Sequence, residues 1–458
     1  MDRVLEALSD YAVSVTYDQL PKKTVHEVKR RVIDTLGCAM GSYHRRPPEI
    51  ARAYALEVSS MPGSTILGTR HQSSPELAAF ANGVMARYSD FNDMSVGRKA
   101  GHPSDNIPAV LAAAEYAGAD LRAAIAGIIV AYEIQDRVGD VGSEVVDRGW
   151  DYVLFSSLSS AAGTGKAMGL NKEQMANALA LAAIPNGGLF QTRVGQLSMW
   201  KGCAAANATR NGTFAALLAR RGLTGPDEAF EGACGFNKQY GLTAMQLPTF
   251  GGGSVPYILE QTRFKNYPCD YEAQCCVTPA VELHKALKGD MGQIVGIEIE
   301  TYTHGMQASA DTPDKWKPTT RETADHSLPY VVAVVLCRGT LSVDDFSDER
   351  IRDPKTHSVM QKIKVRATEE FDRAWPEAYP FRITVTTKSG QKHVQEVFYA
   401  KGHPKNPMSD QDIEAKFQQQ AVPVMGQAAA DHALGALWHL EDMQQVQEVF
   451  ALFVMPAA

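Results

Sequence analysis

The sequence predicts a mostly helical protein: a large all-helical domain with a smaller α+β domain inserted into it. Three observations carry that expectation. Residues 1 to about 265 repeat apolar side chains at helical spacing, with much alanine and glycine between them. Period-two segments appear after Pro268. Helical spacing then returns beyond the turn Gly402-His-Pro-Lys-Asn-Pro407, so the last helices are expected to rejoin the first bundle. The expected units are 1–266 (helical, first part), 267–402 (α+β) and 403–458 (helical, C-terminal part).

The elements follow in order. The opening Met-Asp-Arg-Val-Leu-Glu-Ala-Leu is charged and helical in pattern, and lacks the apolar core of a signal peptide. Helices are expected over 23–40, 75–88, 107–117, 121–138, 157–170, 172–183 and 201–220. Small residues on these helices suit close approach in a bundle. Strands are expected over 294–303 and 362–366, and a hairpin joins 382–387 to 393–399. Helices over 279–287 and 329–336 lie between strands, with Asp325 or Ser327 as the cap of the second. The chain then ends in helices over 410–419, 427–440 and 443–453.

A net charge of −7 over 458 residues argues against broad binding to nucleic acid or to an anionic membrane. No run of about 18 apolar residues occurs, so no transmembrane helix is expected. Seven scattered cysteines, an odd number, suggest reduced thiols and a cytoplasmic setting. Without a Cys-x-x-Cys pair or a glycine-rich nucleotide loop, neither a metal nor an organic cofactor is expected.

The segment from Asp90 to Asn106 is the densest in chemistry. Asp90-Phe-Asn-Asp93 leads through Arg98 to Gly101-His102-Pro-Ser-Asp-Asn106, between two apolar helical runs. Packing alone does not ask for such a cluster, whereas a site that moves protons and holds an anion does. Asp90 and Asp93 are spaced to share one face of a last helical turn. His102 is expected to be the acid–base residue, oriented by Asp90, while Asp105 is expected to cap the helix that follows. Lys201 opens a helix built of small residues and is a candidate carboxylate ligand at its positive end, although the sequence by itself favours a surface lysine. Arg193 is a second candidate clamp. Lys265, Asp270 and Glu272 stand where the helical part meets the α+β part, a common place for a ligand. Cys269 reads as a buried structural thiol rather than a nucleophile. His326 has two readings, a titrating group in the site or a structural one at a helix start.

Together these pieces resemble the MmgE/PrpD family, which includes 2-methylcitrate dehydratases, cis-aconitate decarboxylases and iminodisuccinate epimerases. The resemblance runs essentially from end to end. It rests on Leu20-Pro21 before a helix ending Asp34-Thr-Leu-Gly-Cys38, and on Asn82-Gly-Val-Met-Ala-Arg-Tyr-Ser-Asp90-Phe-Asn-Asp93 leading to Gly101-His-Pro-Ser-Asp-Asn106. Leu197-Ser-Met-Trp-Lys201-Gly, Arg321-Glu-Thr-Ala-Asp-His-Ser-Leu-Pro-Tyr330 and Lys401-Gly-His-Pro-Lys-Asn-Pro407 continue it in order. The resemblance implies a homodimer without cofactor, and a site between the two domains that handles small di- or tricarboxylates. It places Asp90, His102, Lys201 and Lys265 on the family's active-site positions.

Two departures stand out. Where the family's decarboxylases carry a histidine after a Gly-aromatic pair, this chain has Gly149-Trp150-Asp151-Tyr152. Where they carry one after the Lys-x-aromatic-Pro turn, it has Asp270. The dehydratase pattern fits these segments better in length, yet it too would put histidines near Tyr152 and Glu272. The Thr320-Arg-Glu-Thr-Ala-Asp-His-Ser-Leu-Pro-Tyr330 segment resembles the dehydratase branch most. The expected function is therefore a lyase for a small polycarboxylate, of the 2-methylcitrate dehydratase type. His102, Asp90, Lys201 and Tyr152 are the expected catalytic residues. Lys265, Arg193, Asp93, Arg98, Asp270 and Glu272 are the expected substrate ligands. Decarboxylation, epimerisation and a silent carboxylate-binding homologue are the alternatives.

Overall fold

Small side chains decide how the first helices pack in the computed structural model, which describes residues 1–95, 101–242 and 245–455. Helix Leu121–Val141 crosses helix Val153–Ala167 at Gly127 and Gly163. A Cβ on Gly127 would lie 2.6 Å from the Gly163 carbonyl, and one on Gly163 would lie 2.8 Å from the Gly127 carbonyl. The two backbones touch, and no larger residue fits. Helix Ala204–Arg220 approaches the same helix as closely: a Cβ on Gly212 would lie 2.3 Å from the Ser157 carbonyl. Around this centre lie helices Arg3–Ser14, Lys22–Gly41, Pro75–Arg87, Asn106–Ala117 and Lys172–Ala183.

The boundaries differ from expectation where local chemistry was misread. Helix Arg46–Leu56 begins with two prolines, which a first turn tolerates because its N–H groups have no helical partner. The run expected over 201–220 is split into a 3-10 turn, Met199–Gly202, and helix Ala204–Arg220. Pro279 is not a helix start; helix Tyr271–Ala286 runs through it, on a largely buried face. Asp105 precedes helix Asn106–Ala117 but does not cap it, because its Oδ1 accepts from Asn92 Nδ2 instead. Ser327 caps helix Leu328–Arg338 by accepting from the Tyr330 N–H.

A two-residue ladder, β1 (Ser64–Thr65) with β2 (Gln72–Ser73), precedes the main sheet. That sheet has four strands: β3 (Ile294–Thr301), β4 (Ile363–Ala367), β5 (Phe381–Thr387) and β6 (Lys392–Val397). Their order is β4-β3-β5-β6, with β3 and β4 parallel and the other pairs antiparallel. Alternate residues of β5, namely Phe381, Ile383, Val385 and Thr387, are buried. Helices Tyr271–Ala286 and Leu328–Arg338 share the core beneath them.

The apolar interior separates into two large clusters. One joins residues from Val4 to Phe264 with residues from Met408 to Phe453, and the other runs from Cys269 to Ala400. On this ground we propose the division into 1–266 with 403–458, and 267–402. The two crossings between the parts lie side by side, where Phe264 N–H donates to the Gly402 carbonyl at 3.1 Å. Gly402 has φ +100, and a Cβ there would lie 2.3 Å from the Phe264 carbonyl. The returning helix Asp410–Met425 locks the junction through Lys416. Its ammonium pairs with Asp34 at 2.6 Å and donates to the carbonyls of Phe91 at 2.7 Å and Lys265 at 2.8 Å.

Candidate active site

Helix Pro75–Arg87 ends beside the junction and delivers two charged side chains three residues apart. Arg87 bonds Asp90 through Nη1 in a close, buried pair. Asp90 has φ +51, a left-handed backbone that aspartate tolerates better than most residues and that gathers at functional sites. Lys265 Nζ donates to its Oδ2 at 2.9 Å and its carbonyl at 3.0 Å, and Lys201 Nζ lies 3.3 Å from Oδ1. Burial by itself would raise the Asp90 pKa. Arg87, Lys201 and Lys265 outweigh it and hold the carboxyl well below the usual range. Asp90 is therefore a fixed anion that gathers three cations. Lys201 is 3 % exposed, not a surface lysine, and burial brings its pKa down to about 8 against the pull of Asp90.

His102 is near this cluster but is not held by Asp90, which lies 3.9 Å away. Its Nδ1 faces the Asp93 carbonyl at 2.5 Å, and its Nε2 faces Arg87 Nη2 at 2.9 Å. Nδ1 therefore donates and Nε2 accepts. Burial, then Arg87 and Lys265, push its pKa well down, so the ring is neutral. Asp93 lies behind the wall, with Oδ1 taken by the Ser104 N–H and Oδ2 by the Tyr132 hydroxyl at 2.7 Å. It orders the loop from within, and the structure does not bring it to a ligand.

A hydrogen-bonded carboxylate–histidine pair does occur, on the opposite wall. Asp325 Oδ1 lies 2.5 Å from His326 Nδ1, which leaves Nε2 as the acceptor facing inwards. That Nε2 is 3.8 Å from Asp90 Oδ2 and 3.9 Å from Asp270 Oδ1. Burial and then Lys201 lower the His326 pKa, while Asp325 and Asp270 oppose them, so its base form persists below the usual range. Asp270 also accepts from Ser309 Oγ at 2.9 Å. Glu272 lies beside Asp270, and burial followed by the Asp270 charge raises its pKa well above normal, which keeps it a neutral acid. His304 Nε2 is 3.8 Å from Glu272 Oε1. The corner where a histidine was expected and Asp270 and Glu272 stand thus receives two histidines from other segments.

These groups line a cavity of about 550 Å³ between the two parts, together with Arg87, His102, Tyr152 and Arg193. Arg193 Nε is held by Asp151 at 3.0 Å, its guanidinium stacks 4.5 Å over the Tyr152 ring, and its buried Nη2 has no hydrogen-bond partner among the described residues. The buried Tyr152 hydroxyl has none either. Arg193 can thus offer a buried N–H to a carboxylate, and Tyr152 an O–H. Gly101 has φ +82, and a Cβ there would strike the Tyr152 ring at 2.1 Å, so that close approach requires glycine. Arg98 lies outside the described residues. Cys269 is fully buried, and burial raises its thiol pKa well above normal.

Asp90, Asp270 and His326 offer ligand atoms within 4.8 Å of one another, a spacing that could hold a metal ion. Three cations already surround Asp90, and their charge opposes a divalent ion there. The sequence reading passed over Arg87, whose signal was its place three residues before Asp90. It also passed over His304, which carries no local signal at all, and left His326 undecided.

The comparisons with known proteins give the family. Residues 6–245 match the MmgE/PrpD N-terminal domain and residues 267–441 the MmgE/PrpD C-terminal domain. The mitochondrial 2-methylcitrate dehydratase of Yarrowia lipolytica is 27% identical over 95% of this chain and 84% of its own length. The 2-methylcitrate dehydratase of Cupriavidus necator is 29% identical over 79% of this chain and 77% of its own. The human cis-aconitate decarboxylase is 26% identical over 96% of this chain and 92% of its own. With both domain matches in order and together spanning most of the sequence, the chain belongs to the MmgE/PrpD family.

Proposed function

We propose that the protein is a lyase for a small di- or tricarboxylate, and that it removes water by β-elimination in the manner of a 2-methylcitrate dehydratase. The observation that carries this is the inward-facing Nε2 of His326, whose Nδ1 is held by Asp325, in a cavity that Arg87 and Arg193 also line. A proton beside a carboxylate is weakly acidic. Its removal needs an oriented base and cationic stabilisation of the charge that develops on that carboxylate. His326 supplies the base. Arg193, with its unpartnered Nη2, takes the carboxylate, and Lys201, Lys265 and Arg87 set the positive field around it. Glu272, kept protonated by burial and Asp270, delivers a proton to the departing hydroxyl, with Tyr152 as the alternative donor. In this reading His102 stays neutral and fixes the second arm of Arg87.

The test is product analysis by NMR after incubation with citrate, methylcitrate, cis-aconitate and iminodisuccinate. Reversible loss or gain of water is expected. In D₂O, deuterium should enter at the carbon beside a carboxylate. Stoichiometric CO₂ release from cis-aconitate without that exchange would instead favour decarboxylation. One observation supports this second reading: the same neutral Glu272 can protonate carbon. No metal or organic cofactor takes part in the proposed chemistry, so dialysis against a chelator should leave turnover intact. Activity that is lost on dialysis and returns with a divalent ion would overturn that statement. A homodimer and a cytoplasmic setting belong to the same proposal. Among the described residues no helix is long and apolar enough to cross a membrane.

A further inference from the structure

The α+β wall of the cavity holds a cation that the proposed elimination leaves unused. Lys315 is 7 % exposed and lines the cavity from the short helix Pro313–Trp316. That helix is firmly placed. The Lys315 carbonyl accepts from Ser327 Oγ, next to His326, and Trp316 Nε1 donates to the Ala310 carbonyl at 2.7 Å. Acids surround it, but none forms an ion pair with it among the described residues, although Asp270 and Asp311 line the same cavity. Asp270 accepts from Ser309, Asp325 is taken by His326 and Arg321, Asp314 accepts from Gln196, and Asp311 is exposed. Among the described residues no acceptor bonds the Lys315 ammonium and no carboxylate pairs with it. An ammonium carries three N–H donors, and burying one without an acceptor is costly. Lys315 lines the cavity, where an anion can reach it.

We propose that Lys315 is the ligand for a second substrate carboxylate in the cavity that Arg193 also lines, and so selects polycarboxylates over monocarboxylates. This rests on the polycarboxylate reading above and adds to it the residue that counts carboxylates. Burial lowers the Lys315 pKa, and Asp270, Asp325, Asp311 and Asp314 oppose that fall. A monocarboxylate held by Arg193 would leave Lys315 as it is in the empty cavity, whereas a polycarboxylate would pair with it.

Calorimetric titration with tricarballylate, an unreactive tricarboxylate, and with butyrate tests this on the parent, Lys315→Met and Lys315→Arg. Methionine keeps the length and removes the charge. Tricarballylate should bind Lys315→Met about 10- to 150-fold more weakly than the parent, the range expected for losing a hydrogen bond to a charged group. Butyrate affinity should change by less than about threefold, and Lys315→Arg should retain most of the tricarballylate binding. With a turned-over substrate, KM should rise by a similar factor with little change in kcat. Equal affinity of parent and Lys315→Met for tricarballylate would overturn the assignment. So would a large fall in the melting temperature of Lys315→Met, which would mark a structural lysine. A parent protein that binds and converts no polycarboxylate at all would instead overturn the reading of function beneath it.

Discussion

Two aspartate–histidine neighbourhoods face each other across the cavity. Asp90 and His102 share the segment richest in titratable groups, yet they stand 3.9 Å apart and each answers to Arg87. Asp325 and His326 are adjacent in the chain and bonded at 2.5 Å. In the first, the carboxylate gathers cations and the imidazole has both nitrogens engaged. In the second, the carboxylate fixes the tautomer and leaves one nitrogen for the cavity. In the proposed elimination the same two residue types thus serve as an electrostatic anchor in one wall and as an oriented base in the other. Hydrogen-bond partners make the difference, not density of charge.

The largest expected effect breaks or keeps that distinction. His326→Gln should lower kcat by about 10²–10⁴-fold with the fold intact, because the base is lost. His102→Gln should cost only about tenfold, since an amide oxygen can still accept from Arg87. The acid limb of kcat/KM should lie below the ordinary histidine range, because the lowered His326 pKa keeps the base form present until the pH falls through it. Measured in the reverse order, the two variants would return the base role to His102.

The second effect contrasts the fixed anion at Asp90 with the ion pair behind it. Asp34 is buried, and burial raises its pKa while Lys416 pulls it down. Lys416→Met strands that acid and releases the carbonyls of Phe91 and Lys265, which position Asp90 and the Lys265 ammonium. Unfolding stability should fall by about 3 kcal/mol. Adding Asp34→Leu should restore most of the stability but not kcat, because the two carbonyls remain free. Full recovery of kcat in the double variant would show that Lys416 acts only on stability.

The sequence made the architecture legible because its periods are long-range averages. Helical spacing, its interruption after Pro268 and its return after Pro407 all survive a few misplaced boundaries. It also singled out Asp90, Lys201 and Lys265, although Lys201 by itself read as a surface lysine and the family resemblance placed all three in the site. It did not reveal who bonds whom. Asp93 and Asp105 look as available as Asp90, but their partners, Tyr132, Ser104 and Asn92, come from elsewhere in the fold or carry no distinctive signal. His304 and Lys315 became visible only when two domains closed on one cavity, whereas Arg87 stood three residues before Asp90 and was passed over. The corner where a histidine was expected holds one all the same, because His326 reaches it from another segment.

A third, smaller effect tests how Lys201 serves the anchor. Its pKa of about 8 means that the ammonium deprotonates just above neutrality and the field around Asp90 weakens. An alkaline limb in kcat/KM is expected near that value. Lys201→Arg keeps the charge at all working pH, so it should remove the limb while losing about tenfold at neutral pH through changed reach. A limb that stays in place in Lys201→Arg would assign it to another group.

The smallest effect separates two carboxylates by the sign of their linkage to folding. Burial raises the Asp105 pKa to about 7, whereas Lys201, His326 and Arg321 outweigh burial at Asp325 and lower its pKa. A raised folded pKa stabilises fully below the unfolded value, and that contribution is lost as pH rises through the folded one. A lowered one stabilises above the unfolded value, and its contribution is lost only as pH falls through the folded one. Asparagine at position 105 still accepts from Asn92 and never ionises. Relative to the parent, Asp105→Asn should therefore gain stability from pH 5 to pH 7, by at most about 1.4 kcal/mol per pH unit, and hold it above. Asp325→Asn should lose a constant amount over the same range, since the unfolded aspartate is already ionised throughout it. Urea midpoints at pH 5, 6, 7 and 8 read both slopes. A flat difference for Asp105→Asn would mean that Asp105 is charged in the fold, paired with Arg87 Nε across 3.9 Å. The helical wall would then carry two fixed anions instead of one.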